Sequence, residues 1–396
     1  MNSASTIFLA TERGANLGHL GRDLALARAF KRDGHRVVLA VPDLGAADAF
    51  LGQDEFTLMQ APALRRATPA RQPSLDFADM LLNLGFADVE ALAGAVDAWL
   101  ALFEATRPAL VVYNNAPTAL IAARIAKLPV QLIGTAFEIP PTGATLPRFR
   151  PELEVAPEHL ASVEATVVAL INEQFARHGS PTVRRVADLY PAADVRLTTL
   201  PELDPFGPRE DVAYVGPVFE LPQEHDVEWI RPDAHHVFAY LRPSVPGCEA
   251  MLHALQELQS EVICMVPGCP PEWIARFDRI RFFSHPLLLA FLLPRSQLVV
   301  TCGVGLITTS LLTAVPVLYM PQTVEQHLVG RAALSTGAVS LVPDTRTPAS
   351  LAAALAAACG DGAKRDRALE FASSYMAIEF ENNARSVVAV RGGSDL

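Results

Sequence analysis

Short apolar runs alternate with amphipathic stretches along the whole chain. Residues 7–10 are apolar, a glycine-containing loop follows, 20–32 has its apolar positions at helical spacing, Gly34 interrupts, and 36–41 is apolar again. That is a β-loop-α-β unit. It recurs as an apolar run at 109–113, a loop at 114–117, a helical stretch at 118–127 and a strand at 130–134. Strands alternating with helices predict a parallel sheet covered on both faces. The basic, proline-containing segment 65–72 and the proline-rich segment 137–150 read as loops at the top of that sheet. A long helical stretch, 158–178, then leads to a strand at 195–200.

The rhythm stops and restarts. Residues 201–222 hold five prolines and two glycines, which marks a linker. Beyond it the pattern predicts strands at 237–241, 261–266, 281–283, 298–301 and 317–320. Helices at 249–257, 271–277, 287–293 and 307–314 separate them, and another follows at 326–335. An alanine-rich helix at 350–358 and a final one at about 364–387 complete the chain. The fold class is α/β, with two doubly wound domains in tandem. Their expected bounds are 1–205 and 223–370, joined by a linker at 206–222 and followed by a closing helical segment at 371–396.

Composition narrows the function. The 396 residues suffice for two or three domains. Thirty-two Lys and Arg against 43 Asp and Glu leave a net charge of −11, so no positive field exists to hold nucleic acid. With 51% hydrophobic and 19% charged residues the chain is globular and has apolar surface to spare for a ligand. Cys248, Cys264, Cys269, Cys302 and Cys359 are odd in number, lack zinc-ligand spacing and read as reduced thiols. The His235-His236 pair and His285 lack partners at metal-ligand spacing, so no metal is expected. Residues 1–10 carry no basic leader and no apolar run nears ~18 residues, which makes the cytoplasm the expected location.

In open α/β sheets ligands collect beyond the C-terminal strand ends. The first such loop, 11–21, has glycines at 14, 18 and 21, which is not the dinucleotide spacing. His19 falls at a helix start, where the positive end of the dipole favours a neutral, proton-accepting ring; a capping or packing role fits the same residue. Residues 298–306 form a strand ending in a glycine-spaced turn whose N–H groups suit an anion, or simply a tight turn. Glu325 and Gln326 offer an acceptor and a donor to vicinal hydroxyls, or an ordinary acidic helix start.

The succession GHLGRDLALARAFKRDGHRVVLA, LVVYNNAPTALIAARIAKLPV, VAYVGPV and LLPRSQLVVTCGVGLITTSLLTAVPVLYMPQTVEQ resembles the GT-B glycosyltransferases of the bacterial UGT and macrolide-glycosyltransferase type, across nearly the whole chain. The resemblance implies two Rossmann-like domains with an interdomain cleft and a last helix crossing back to the first domain. It implies inverting transfer of a sugar from a nucleoside-diphosphate sugar of UDP or dTDP type to a hydroxyl of a small hydrophobic acceptor of natural-product kind. Neither metal nor cofactor is then needed, and a homodimer is left open. The family's base maps onto His19 in Gly18-His19-Leu20, and its sugar-binding pair onto Glu325 and Gln326. Its His-Gly-Gly-x-Gly-Thr signature becomes Thr301-Cys302-Gly303-Val304-Gly305-Leu306, with two side-chain donors replaced and Arg242, at a strand end, the candidate substitute. Where relatives carry the aspartate that orients the histidine, this chain has Asn114 and Asn115. Residues 73–85 with Phe137 and Glu138 fall where relatives bind acceptors. A non-catalytic homologue acting as a binding or auxiliary subunit is the alternative, and a sugar-nucleotide epimerase of the same fold a third.

Overall fold

Apolar runs buried on both faces form the central strands, and shorter, partly exposed strands flank them. In the first half these are β1 (Thr6–Thr11), β2 (Arg36–Val41), β3 (Thr57–Gln60), β4 (Leu110–Asn114), β5 (Val130–Gly134), β6 (Val195–Leu197) and β7 (Ala213–Tyr214). In the second they are β8 (His236–Tyr240), β9 (Glu261–Met265), β10 (Ile280–Phe283), β11 (Leu298–Thr301), β12 (Val317–Tyr319) and β13 (Val339–Leu341). The computed structural model describes residues 4–14, 17–51, 56–64, 73–143, 145–190, 194–220 and 225–376. They group into two compact units, one within Met1–Thr199 and Pro208–Glu220, the other within Leu200–Gly207 and Leu221–Phe380.

Each unit carries one parallel sheet. The orders are β3-β2-β1-β4-β5-β6-β7 and β10-β9-β8-β11-β12-β13. Counted within each unit, the second follows the 3-2-1-4-5-6 order of doubly wound nucleotide-binding folds, and the first extends that order with β7 as a seventh strand. Strand order therefore reverses between β1 and β4 in one sheet and between β8 and β11 in the other. In register Thr11 lies opposite Asn114, and Tyr240 opposite Thr301. Two pairs of central-strand ends thus stand where such sheets collect ligands.

Packing follows the period of two along each strand. In the first unit Phe8 meets Trp99 and Phe103 edge-on at 6.1 and 5.2 Å. Both lie on the helix Val89–Thr106, which Asp88 caps by accepting the Ala91 N–H and Arg107 ends in a left-handed turn. In the second unit Val237 and Ala239 face Met251, Leu255, Leu351 and Leu355, while Phe238 faces the opposite core with Ile307, Leu311 and Phe371.

Several elements escape the periodicity. Strands β3, β7 and β13 have four, two and three residues, too few for a pattern. Alanines scattered round Val89–Thr106 blur its polar face. Strand β7 lies inside the proline-rich segment read as a linker and pairs with β6, Ala213 opposite Arg196. The described part of the final helix runs Gly362–Tyr375, and the rest of the expected closing segment lies outside the described residues, as does the basic loop 65–72. Among the described residues no helix is long and apolar enough to cross a membrane.

Candidate active site

The helix Leu17–Arg32 starts a turn earlier than its apolar pattern suggests, which puts His19 in its first turn. Arg22 and Asp23 follow at i+3 and i+4, the spacing that shares one helical face. That face meets the end of β4. His19 Nδ1 lies 3.0 Å from Asn114 Oδ1 and 3.1 Å from an Arg22 nitrogen, and Arg22 also donates to Asn114 Oδ1. The Asn114 amide nitrogen donates to Asp23 Oδ1 at 2.6 Å, and the Thr11 hydroxyl to Asp23 Oδ2 at 2.6 Å.

A second carboxylate closes the cluster from the loop after β5. Glu138 accepts from Arg22 at 2.8 and 3.1 Å and from the Thr135 N–H at 2.7 Å, and its Oε1 stands 3.4 Å from His19 Nε2. The side chains of Arg22 and Glu138 are 5% and 4% exposed, whereas that of His19 is 17% exposed, so the imidazole is the member that solvent reaches. Burial pushes the Asp23 carboxyl up, while the bonds from Thr11 and Asn114 and the charge of Arg22 pull it back. Gly14 is what lets the ring sit here. Its φ is +99°, and a Cβ on it would fall 1.9 Å from His19 Cδ2. Asn115, with φ 50°, takes the left-handed turn that leads from β4 into the helix Pro117–Ile125. Glu12 receives the Ala119 N–H at 2.6 Å and the Thr118 hydroxyl at the start of that helix, and burial pushes its carboxyl up to about 7.

The other switch point is built differently. Thr301 is buried, and its Oγ1 accepts the Gly303 N–H at 2.9 Å, so the first amide of the glycine turn is already engaged. The helix Val304–Leu312 then begins with no side-chain cap, which leaves the amides of Val304, Gly305 and Leu306 as its positive end. The Tyr240 ring packs where a Gly303 Cβ would approach it to 3.2 Å, whereas a Gly305 Cβ would meet nothing within 4 Å. Arg242 Nε and one terminal nitrogen donate to the Tyr240 hydroxyl at 3.0 and 2.9 Å. Arg346, past β13, donates to the carbonyls of Pro246, at 3.0 Å, and Pro321. Burial pushes the Cys302 thiol up to about 11 against the pull of Arg242 and Arg346.

Glu325 occupies the first turn of the helix Val324–Ala333. Gln326 is the third residue of a capping box. Its Oε1 accepts the N–H groups of Gln322 at 2.8 Å and Thr323 at 3.3 Å, while Thr323 Oγ1 accepts the Gln326 N–H. Phe137 is buried with its ring centroid 5.0 Å from that of Phe149. Gly18 is exposed, and a Cβ there would meet nothing within 4 Å. Among the described residues no group of three or more His, Cys, Asp or Glu is placed to hold a metal ion.

No protein-family model and no curated protein matches the sequence. Solved structures do. CalG4, the calicheamicin glycosyltransferase, aligns over 97% of this chain and 96% of its own with a TM-score of 0.69 and 18% identity. The glycosyltransferase VinC, in complex with DTDP, aligns over 96% of this chain and 100% of its own, at 0.68 and 16%. SnogD, a glycosyltransferase from Streptomyces nogalater, aligns over 98% of both chains at 0.61 and 18%. The chain has the GT-B fold.

Within that GT-B frame the structure brings His19 and Asn114 into contact and sets Glu138 on the other ring nitrogen. At the second switch point it seats Arg242 on the hydroxyl of Tyr240, whose ring packs beside Gly303 of the 301–306 turn. Arg22, Asp23, Thr11, Tyr240 and Arg346 went unremarked in the sequence. The i, i+3, i+4 spacing of His19, Arg22 and Asp23 was the available signal for two of them, and Thr323-x-x-Gln326 was the signal for the capping box.

Proposed function

We propose that the chain is an inverting, metal-independent glycosyltransferase that moves a sugar from a UDP- or dTDP-type sugar to a hydroxyl of a small hydrophobic acceptor. The observation that carries this reading is the His19 imidazole, partly exposed, seated on Asn114 at the switch point of a GT-B sheet. Its Nε2 takes the acceptor proton as the hydroxyl oxygen bonds to the anomeric carbon. The bond from that carbon to the diphosphate breaks with its electron pair on the leaving phosphate oxygen. Glu138, near Nε2, supplies the negative charge that an amide at 114 cannot, so the imidazolium formed has a carboxylate beside it.

On the donor side, the amides of 304–306 and the Arg242 guanidinium receive the leaving diphosphate. Glu325 and Gln326 hold sugar hydroxyls, Gln326 through its amide nitrogen because its oxygen serves the helix cap. Phe137 and Glu138 belong to the acceptor side. The DTDP in the VinC complex and the thymidine diphosphate in that of the spinosyn rhamnosyltransferase SpnG support a dTDP-type donor. Turnover of dTDP- and UDP-sugars on a panel of hydrophobic alcohols, with EDTA present, tests the reading by mass spectrometry of the product; no product with any pair would refute it.

A non-catalytic homologue is favoured by one observation, the Gly303 N–H already bonded to Thr301. Calorimetry separates the two, because the transferase reading requires nucleoside-diphosphate binding without metal.

A further inference from the structure

A carboxylate stays beside one ring nitrogen only if the loop that carries it is held, and a buried loop is held through its backbone groups. Residues 136–140, just past β5, are buried and form a turn outside any strand or helix. The Glu138 N–H donates to the Thr135 carbonyl at 3.1 Å, and the Tyr113 hydroxyl donates to the Glu138 carbonyl at 3.1 Å. The carbonyls on either side of Glu138 accept from one guanidinium. One terminal nitrogen of Arg209 donates to Ala136 at 2.7 Å and the other to Ile139 at 2.7 Å. A rigid, planar fork of this kind fixes two acceptors at once. Arg209 is itself anchored, since its backbone N–H donates at 3.0 Å to the hydroxyl of Tyr214, which β7 sets opposite Leu197. Glu138 has little room to shift: a Cβ on Gly134 would fall 2.6 Å from its Oε2. Without the Arg209 fork two carbonyls of buried residues lose these donors, and the loop recovers partners only by turning them toward water. Glu138 then leaves its place 3.4 Å from His19 Nε2.

We propose that Arg209 is a positioning residue, which by holding the carbonyls on both sides of Glu138 keeps that carboxylate beside His19. The proposal rests on the transferase reading, in which Glu138 stands by the imidazolium. The hold itself can be read without substrate. Hydrogen exchange of the full chain, followed by mass spectrometry over residues 134–142, should be roughly tenfold faster in Arg209→Met than in the parent, with β1 and β2 unchanged. The same variant should lower kcat roughly tenfold at unchanged donor KM, a fraction of the ~10²–10⁴ that acid–base catalysis contributes. A double-mutant cycle separates this from mere loss of stability. If Arg209 acts through Glu138, Arg209→Met costs less than about twofold in kcat once Glu138→Gln is present, while its effect on unfolding is the same in both backgrounds. A folded Arg209→Met that exchanges like the parent overturns the proposal, and so does an equal loss of kcat with and without Glu138→Gln. Should Arg209→Met fail to fold, Arg209→Lys, which keeps the charge and loses the fork, is measured against the same outcomes. Faster exchange in Arg209→Met from a parent with no transferase activity would defeat the transferase reading and leave the hold of Arg209 on the loop standing.

Discussion

The two switch points share a strand order and differ in chemistry. At the end of β1 and β4, side chains with full charges are buried against one another, and Arg22, Asp23 and Glu138 surround an imidazole that stays partly exposed. At the end of β8 and β11 the turn itself is backbone, with Arg242 on a phenol hydroxyl and Arg346 on two carbonyls. A proton must be taken from one defined atom, which calls for groups of fixed orientation and buried charge. A diphosphate carries several oxygens and is met well by amides at a helix start and a guanidinium fork. In the transferase reading proposed above, the same scaffold position serves a proton in one unit and an anion in the other.

The strongest way to break this comparison is at His19. His19→Ala should lower turnover by about 10²–10⁴ while donor affinity by calorimetry stays near the parent's. Equal turnover in the two proteins would remove the proton-handling role from the first switch point. Next is Arg242→Ala, for which the expected loss is roughly 2 kcal/mol in nucleoside-diphosphate binding, about thirtyfold, with the bare nucleoside unaffected. A variant that binds the diphosphate like the parent would shift the anion role elsewhere, with Arg346 the first residue to examine.

Buried charge should also make the first unit sensitive to pH. The Glu12 carboxyl, ordinarily near 4.5, is pushed to about 7 by burial, so between those values the folded chain keeps a proton that the unfolded chain has released. Stability from this group is full below pH 4.5 and is lost as pH rises through 7, with a slope of at most ~1.4 kcal/mol per pH unit. Denaturant titrations should show that Glu12→Gln flattens this slope, and an unchanged slope would exclude Glu12 as its source. The smallest effect belongs to Glu325→Ala. Nucleotide-sugar affinity should fall by about 1 kcal/mol, roughly fivefold, with free nucleoside diphosphate spared. Equal losses for both ligands would make Glu325 a helix-start acid only.

Much of the architecture was legible because strands buried on both faces must be apolar throughout and must be separated by loops that break the pattern. His19 and the 301–306 turn were legible as candidates from their order relative to strand ends, and Asn114 through the family resemblance. Arg22 and Asp23 were not, since a charged pair on an amphipathic helix reads as its solvated side unless the partner that buries it is known. Glu138 was named for the acceptor side through the resemblance, but its ion pair with Arg22 joins residues 116 apart in sequence, and no local pattern announces it. Gln326 was seen for its amide but not for the Thr323 cap that uses its oxygen.

The close approach of Gly14 to the imidazole sets which parts of the first loop can vary. A library randomising that loop should return an empty column at position 14, alanine included, because any side chain would have to occupy the space of the His19 ring and adopt a backbone angle that L-residues rarely take. Position 18 has room and should accept most substitutions. A library of this loop can therefore diversify Gly18, next to His19 in sequence, while holding Gly14 constant.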